Sequence, residues 1–170
     1  MTIAWNSNSV AYTVSEPLQT PALGLILAYG STIPFIAGAA GAALINDRAI
    51  AQLCLDLVAL WGAAIPLFLA GVRRGLSFLT PNGVTAGQIA ASMWYFAAGF
   101  GSMLLWALAD APALKAAGLA LLLLGYASLI VFDVRAAWRL DAPPCFARLR
   151  PFQMLIPIAS LGFMLILSRG

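Results

Sequence analysis

The stretch AIAQLCLDLVALWGAAIPLFLAGV, residues 49–72, contains one charged side chain, Asp56, and is bounded by Arg48 and by Arg73. A run of about 20 apolar residues is long enough to cross roughly 30 Å of hydrocarbon as an α-helix. Four other stretches have the same character. The sequence therefore predicts an all-α integral membrane bundle of about five transmembrane helices, over residues 21–45, 49–72, 86–109, 113–132 and 151–168.

The composition supports a membrane protein and excludes a soluble globular domain. Of the 170 residues, 62% are hydrophobic and 9% are charged, whereas soluble domains carry roughly 25% charged residues. The net charge of +3 comes from basic residues that lie between the apolar runs rather than in one cluster, so no nucleic-acid partner is expected. We predict a polar tail over residues 1–20 and one transmembrane domain over residues 21–170.

Local signals place several helix ends. Residues 46–48 are predicted to form a tight turn before the second span. Thr85 and Gln88 have the spacing of a capping box, in which each side chain bonds the other residue's backbone N–H. Pro151 is predicted to start the fifth span, because proline is tolerated in the first turn of a helix.

The fourth span is predicted to continue as a helix to residue 140, since no helix-breaking residue interrupts it before Pro143. Asp133 lies in this extension and is expected at or just above the lipid headgroups. Trp138 is expected to anchor the extension at the interface, where tryptophan is enriched.

The distribution of Lys and Arg predicts the orientation. With five spans, one side of the membrane carries six basic residues: Arg73, Arg74, Arg135, Arg139, Arg148 and Arg150. The other side carries three: Arg48, Lys115 and Arg169. Because the side richer in Lys and Arg stays in the cytoplasm, we predict the N-terminus inside and the C-terminus outside.

The sequence offers no residues typical of a catalytic or metal site. It contains no histidine, which is the commonest transition-metal ligand and proton shuttle. Cys54 and Cys145 fall in different segments, so neither a disulfide nor a metal pair is expected. We expect no enzyme activity and no cofactor, whereas the binding of a phospholipid or a quinone is left open.

Asp56 is the carboxylate that lies inside an apolar run. An ionisable group at membrane depth is a candidate for proton or cation movement. The structural alternative is that Asp56 reaches the interface and accepts a hydrogen bond from Gln52, one turn earlier on the same helix face.

Two pairs of arginines are candidates for binding an anionic lipid headgroup, which basic groups at the membrane rim can hold. The candidates are Arg73, Arg74, Arg148 and Arg150. The first pair serves equally well as a topology signal. The second pair has the further alternative of ion pairs with Asp133 and Asp141.

Small residues four positions apart let membrane helices approach closely. Gly38 with Ala42, and Ala97 with Gly101, form such pairs. They predict either packing within the bundle or a face for another subunit.

Three segments resemble a family of uncharacterised membrane proteins that has bacterial members and includes animal mitochondrial transmembrane protein 69. They are residues 27–35 (LAYGSTIPF), residues 65–75 (IPLFLAGVRRG), and Asp133 with Pro144 and residues 148–150. Arg74 stands where the family has Trp, Ala70 where it has Gly, and residues 145–146 replace an aromatic pair. The resemblance implies the architecture and an energy-transducing membrane, with no activity to carry over.

These observations favour a non-catalytic accessory or assembly subunit of a larger respiratory or photosynthetic complex, in contact with lipid and with other membrane subunits. The expected location is the bacterial inner membrane, ahead of the mitochondrial inner membrane. The alternative is a small oligomeric transporter or channel. Asp56 and the prolines within spans, which can kink helices and line a path, favour that alternative. The prolines are Pro34, Pro66 and Pro157.

Overall fold

The computed structural model describes residues 22–78, 83–108, 111–139, 142 and 145–167, apart from the side chain of Leu23. Over these residues the regular structure is helical throughout: α1 (Ala22–Gly30), α2 (Ile33–Leu44), α3 (Arg48–Ser77), α4 (Ala86–Ala107), α5 (Pro112–Trp138) and α6 (Phe146–Leu167). With α1 and α2 counted as one span, five spans are long and apolar enough to cross a membrane. The predicted fold class is confirmed. The tail of residues 1–20 lies outside the described residues.

The first span is two helices instead of the single helix predicted over 21–45. Pro34 is the second residue of α2; it lacks an N–H, and its ring conflicts with a carbonyl four residues earlier. The hydroxyls of Ser31 and Thr32 donate to the carbonyls of Ala28 and Tyr29, both at 2.7 Å. Side chains therefore satisfy backbone groups at the break.

The second span begins at Arg48, one residue before the predicted start, and ends five residues after the predicted end. Asp47 caps α3, because its Oδ1 accepts from the backbone N–H groups of Ala49 (2.8 Å) and Ile50 (3.2 Å). The predicted end at residue 72 is wrong, since α3 continues through both arginines to Ser77. Charged side chains do not themselves end a helix, and the buried partner of Arg73 favours one more turn.

The capping box of α4 is confirmed. Thr85 Oγ1 accepts from the Gln88 backbone N–H at 3.3 Å, and Gln88 Oε1 accepts from the Thr85 backbone N–H at 3.0 Å. The extension of the fourth span is confirmed as far as Trp138, whose side chain is exposed. Asp133, which we expected near the headgroups, is instead buried within the bundle.

The prediction that Pro151 starts the last span is wrong. α6 begins at Phe146, and Pro151 is its sixth residue. A proline there forfeits one backbone hydrogen bond. The added residues include Arg150, whose guanidinium lies beside Asp133.

The helices pack in chain order from α2 to α6, and α6 closes back onto α2. The centre is aromatic and aliphatic: the rings of Phe35 and Tyr126 meet edge to face at 5.7 Å, and the Tyr126 hydroxyl donates to the Gly62 carbonyl at 2.9 Å. The outer surface is also apolar, with Leu44, Ile166 and many other large side chains exposed. A protein that is apolar inside and outside is suited to a lipid environment.

Candidate functional site

A buried charged cluster joins three helices at one end of the bundle. Arg73 of α3 donates from Nη1 to Asp133 Oδ1 of α5, and Arg150 Nε of α6 lies 3.1 Å from Asp133 Oδ2. The side chains of Arg73, Asp133 and Arg150 are 15%, 6% and 8% exposed. One carboxylate therefore holds two guanidinium groups, and the cluster keeps one excess positive charge.

Neighbouring polar groups fix the cluster in place. The Tyr95 hydroxyl of α4 donates to Asp133 Oδ1 at 3.2 Å, and the Tyr95 ring lies under the Arg73 guanidinium at 5.6 Å. Arg150 Nη1 donates to Gln153 Oε1 at 3.0 Å, and Gln153 Nε2 donates to the Ala28 carbonyl of α1 at 2.8 Å. Five of the six helices thus contribute to one network.

A small cavity adjoins this network, with room for about one water molecule at 20 Å³. Arg73, Tyr95, Asp133 and Arg150 line it together with Ser77. A larger cavity of about 450 Å³ lies between α4 and α5 and is open at the surface. Arg73 lines both cavities, so one member of the cluster reaches the larger one.

The structure divides the four arginines that the sequence suggested as headgroup ligands. Arg73 and Arg150 belong to the buried cluster. Arg74 and Arg148 are exposed, and the Arg74 guanidinium lies 4.8 Å above the Phe78 ring. Of the alternatives drawn from the sequence, the pairing of Arg150 with Asp133 is confirmed.

The pairing of Arg73 with Asp133 was missed. These residues are 60 positions apart, and each lies late in a helix that runs in the same direction through the bundle. Because the second and fourth loops are predicted on the same side of the membrane, the sequence could have placed both residues at the same end of the bundle. Nothing in the sequence predicts that the two side chains face each other across the bundle.

Asp56 lies near the opposite end of the bundle. Its Oδ1 accepts from Gln52 Nε2 and from Trp106 Nε1, both at 2.9 Å. The Gln52 bond is as predicted, while the Trp106 bond from α4 was not foreseen. Lys115 Nζ lies 5.2 Å from the centre of the Trp106 ring, so a cation packs on the indole that donates to this carboxylate.

No family model, curated protein or solved structure matches this chain. The resemblance to the family of transmembrane protein 69 therefore stays a prediction, and the assignment of function depends on the geometry of the chain itself.

The candidate small-residue positions have different surroundings. A Cβ added at Gly38 would lie 1.9 Å from Val58 Cγ2 of α3, so Gly38 is an internal contact between α2 and α3. A Cβ at Gly101 would lie 3.2 Å from Leu121 Cδ2 of α5. Ala42 is half-buried on the same side of α2 as Gly38, and Ala97 is exposed on α4.

Within the described ranges, no three side chains of His, Cys, Asp or Glu are grouped as a metal ion would require. Cys54 lies in the first half of α3 and Cys145 directly precedes α6. The arginines that line the larger cavity are suited to binding an anion by electrostatic attraction.

Proposed function

We propose that this chain is a non-catalytic accessory or assembly subunit whose first span packs against another polypeptide in a membrane complex. The observation that supports it is the incomplete burial of that span. Only 17% of the residues in its apolar stretch are buried inside the protein, against 39% in each of the other four spans.

The two faces of α2 differ in what covers them. Phe35, Gly38 and Ala39 turn toward the bundle. The opposite face exposes residues at helical spacing: Ile33, Ala37, Ala40 and Leu44. Two alanines at the centre of this face leave room for a neighbouring helix to approach closely, which is how helices gain contact energy in lipid.

The host complex is proposed on different grounds. The resemblance of the three sequence segments supports an energy-transducing membrane, and the excess of arginines at one end supports an inner-membrane orientation with the N-terminus inside. A bacterial respiratory or photosynthetic complex agrees with both.

The test is native purification from the protein's own membrane in mild detergent. We expect the parent chain to co-purify with one or more other membrane subunits. Ala40→Leu should release them, because it enlarges the exposed face of α2 without entering the bundle. Ala127→Leu is the matched control, since Ala127 is exposed on α5 and should leave the complex intact.

Gly38→Leu cannot serve in this test, because the added atoms would collide with Val58 and disturb folding itself. A parent chain that runs as a monodisperse monomer in mild detergent would contradict the proposal. A complex made only of copies of this chain would also contradict it and would favour the oligomeric transporter.

A further inference from the structure

The larger cavity lies between the first half of α4 and the last turns of α5. It holds about 450 Å³ and is open at the surface. Its lining includes Arg73, Gln88, Trp94, Phe132, Arg135 and Arg139. The N-terminus of α4 also reaches it through Thr85 and Gly87, and a helix N-terminus favours negative charge.

The charges around this cavity are unbalanced. Arg73 shares its carboxylate partner, Asp133, with Arg150. Arg135 and Arg139 are exposed, and among the described residues neither has a carboxylate within ion-pair distance. Three arginines, Arg73, Arg135 and Arg139, thus line the cavity, and none of the residues described in its lining is acidic, which leaves an excess of positive charge beside an apolar bundle surface. A bound anion would balance part of that excess.

The lining of the cavity changes from cationic to apolar along the helices. Arg135 lies in the last turn of α5 and Arg139 is its C-cap residue, whereas Phe132 lies further into the helix. Trp94 lies two turns inside α4, and its Nε1 donates to Ser128 Oγ at 2.7 Å. Because that N–H is already satisfied, Trp94 presents an apolar ring to the cavity.

The cationic end of the cavity lies next to a side chain typical of the membrane interface. Trp138 is 74% exposed beside Arg139, and tryptophan is enriched at the headgroup level. We therefore expect the cationic part of the cavity at headgroup depth and the apolar part toward the acyl chains.

We propose that this cavity binds the phosphodiester headgroup of an anionic phospholipid. Arg135 and Arg139 bind the phosphate, Arg73 supplies positive charge at the back, and Trp94 and Phe132 contact the upper acyl chain. Guanidinium groups suit this role because they form charge-assisted, bidentate bonds to phosphate. The site is independent of the proposed contact through α2, which lies on a different span.

The experiment measures quenching of tryptophan fluorescence by phosphatidylglycerol brominated on its acyl chains, with the full-length protein in mixed micelles. We expect saturable quenching that unbrominated phosphatidylglycerol reverses and phosphatidylcholine does not. Trp94→Phe should reduce the amplitude of the saturable component, and the remainder should come from Trp138, which is exposed beside Arg139.

Arg135→Gln with Arg139→Gln should weaken the apparent affinity about tenfold or more, since charge-assisted bonds are lost. The matched control is Arg74→Gln with Arg148→Gln, which removes two exposed arginines at the same end that do not line the cavity. It should change the affinity by less than about threefold, as expected for screened surface charge. Both double variants must elute as folded protein.

Equal losses in the two double variants would mean unspecific attraction to the basic end of the bundle and would overturn the proposal. Saturable quenching of unchanged amplitude in the Trp94→Phe variant would place the lipid elsewhere. Displacement by inorganic phosphate at millimolar concentration would identify a site for the free anion and would overturn the assignment to lipid.

Discussion

Asp133 organises one end of the bundle, because its two carboxylate oxygens are approached by guanidinium groups from two other helices. Burying three charged groups is unfavourable unless each is paired. A buried ion pair adds little net stability over an apolar replacement, yet removing one partner is strongly destabilising. We expect the cluster to act mainly on specificity, since rotating α3, α5 or α6 about its axis would separate the three groups.

Asp133→Asn should lower the free energy of unfolding by about 3–5 kcal/mol, because it leaves Arg73 and Arg150 buried without a counter-charge. The measurement is denaturant titration in micelles. Asp47→Asn is the control: asparagine caps a helix as well as aspartate does, so its effect should stay within about 0.5 kcal/mol. Similar losses in the two variants would contradict the role assigned to Asp133.

Substitutions at Asp56 test whether this carboxylate has a structural role. Both of its hydrogen bonds end on one oxygen, Oδ1, and an amide oxygen accepts them as well. Asp56→Asn should therefore change stability by no more than about 0.5 kcal/mol. Asp56→Leu should cost about 1–3 kcal/mol, because Trp106 Nε1 loses its acceptor.

Proton or cation flux through the reconstituted protein decides the function of Asp56. The structural interpretation expects no flux that depends on this carboxylate. Flux present in the parent and lost in a well-folded Asp56→Asn variant would favour the transporter.

At the scale of the element, close helix contacts depend on individual glycines. A Cβ at Gly99 would lie 2.7 Å from the Ala63 carbonyl oxygen and 2.9 Å from Leu67 Cγ, both on α3. The backbone of α3 cannot give way as a flexible side chain would. α3 and α4 therefore owe their close approach to the absence of a side chain at this position.

Gly99→Ala should accordingly destabilise the bundle by about 1–3 kcal/mol, the usual effect of overpacking. Gly71→Ala is the matched control, since Gly71 is within α3 and a Cβ there meets nothing within 4 Å. That control should be neutral or slightly stabilising, because alanine favours helix. Unfolding measurements that rank the two variants in the opposite order would refute the packing argument.

At the scale of the whole molecule, the ends of α3 and α5 and the start of α6 meet at the charged cluster, so the second and fourth loops share one side. Asp56, Trp106 and Lys115 mark the opposite end. Successive loops therefore lie at opposite ends of the bundle, as five antiparallel spans require.

Topology reporters should therefore give opposite results when fused after residue 108 and after residue 139. From the excess of arginines we expect the second position to face the cytoplasm. The same result at both positions would contradict five spans, and reversed results would contradict the predicted orientation alone.

The number of spans and the capping box of Thr85 and Gln88 could be predicted from the sequence, because they depend on local composition and on residues a few positions apart. The predicted turn at residues 46–48 is a break before α3, which already includes Arg48. The contacts of Asp133 with Arg73 and Arg150, and the start of α6 five residues before Pro151, are evident only from the packed helices. The packing of the helices also decided which face of α2 is covered. Helix rotation and neighbour choice depend on packing between distant segments, and a membrane span that is apolar all round carries no pattern that predicts its buried face.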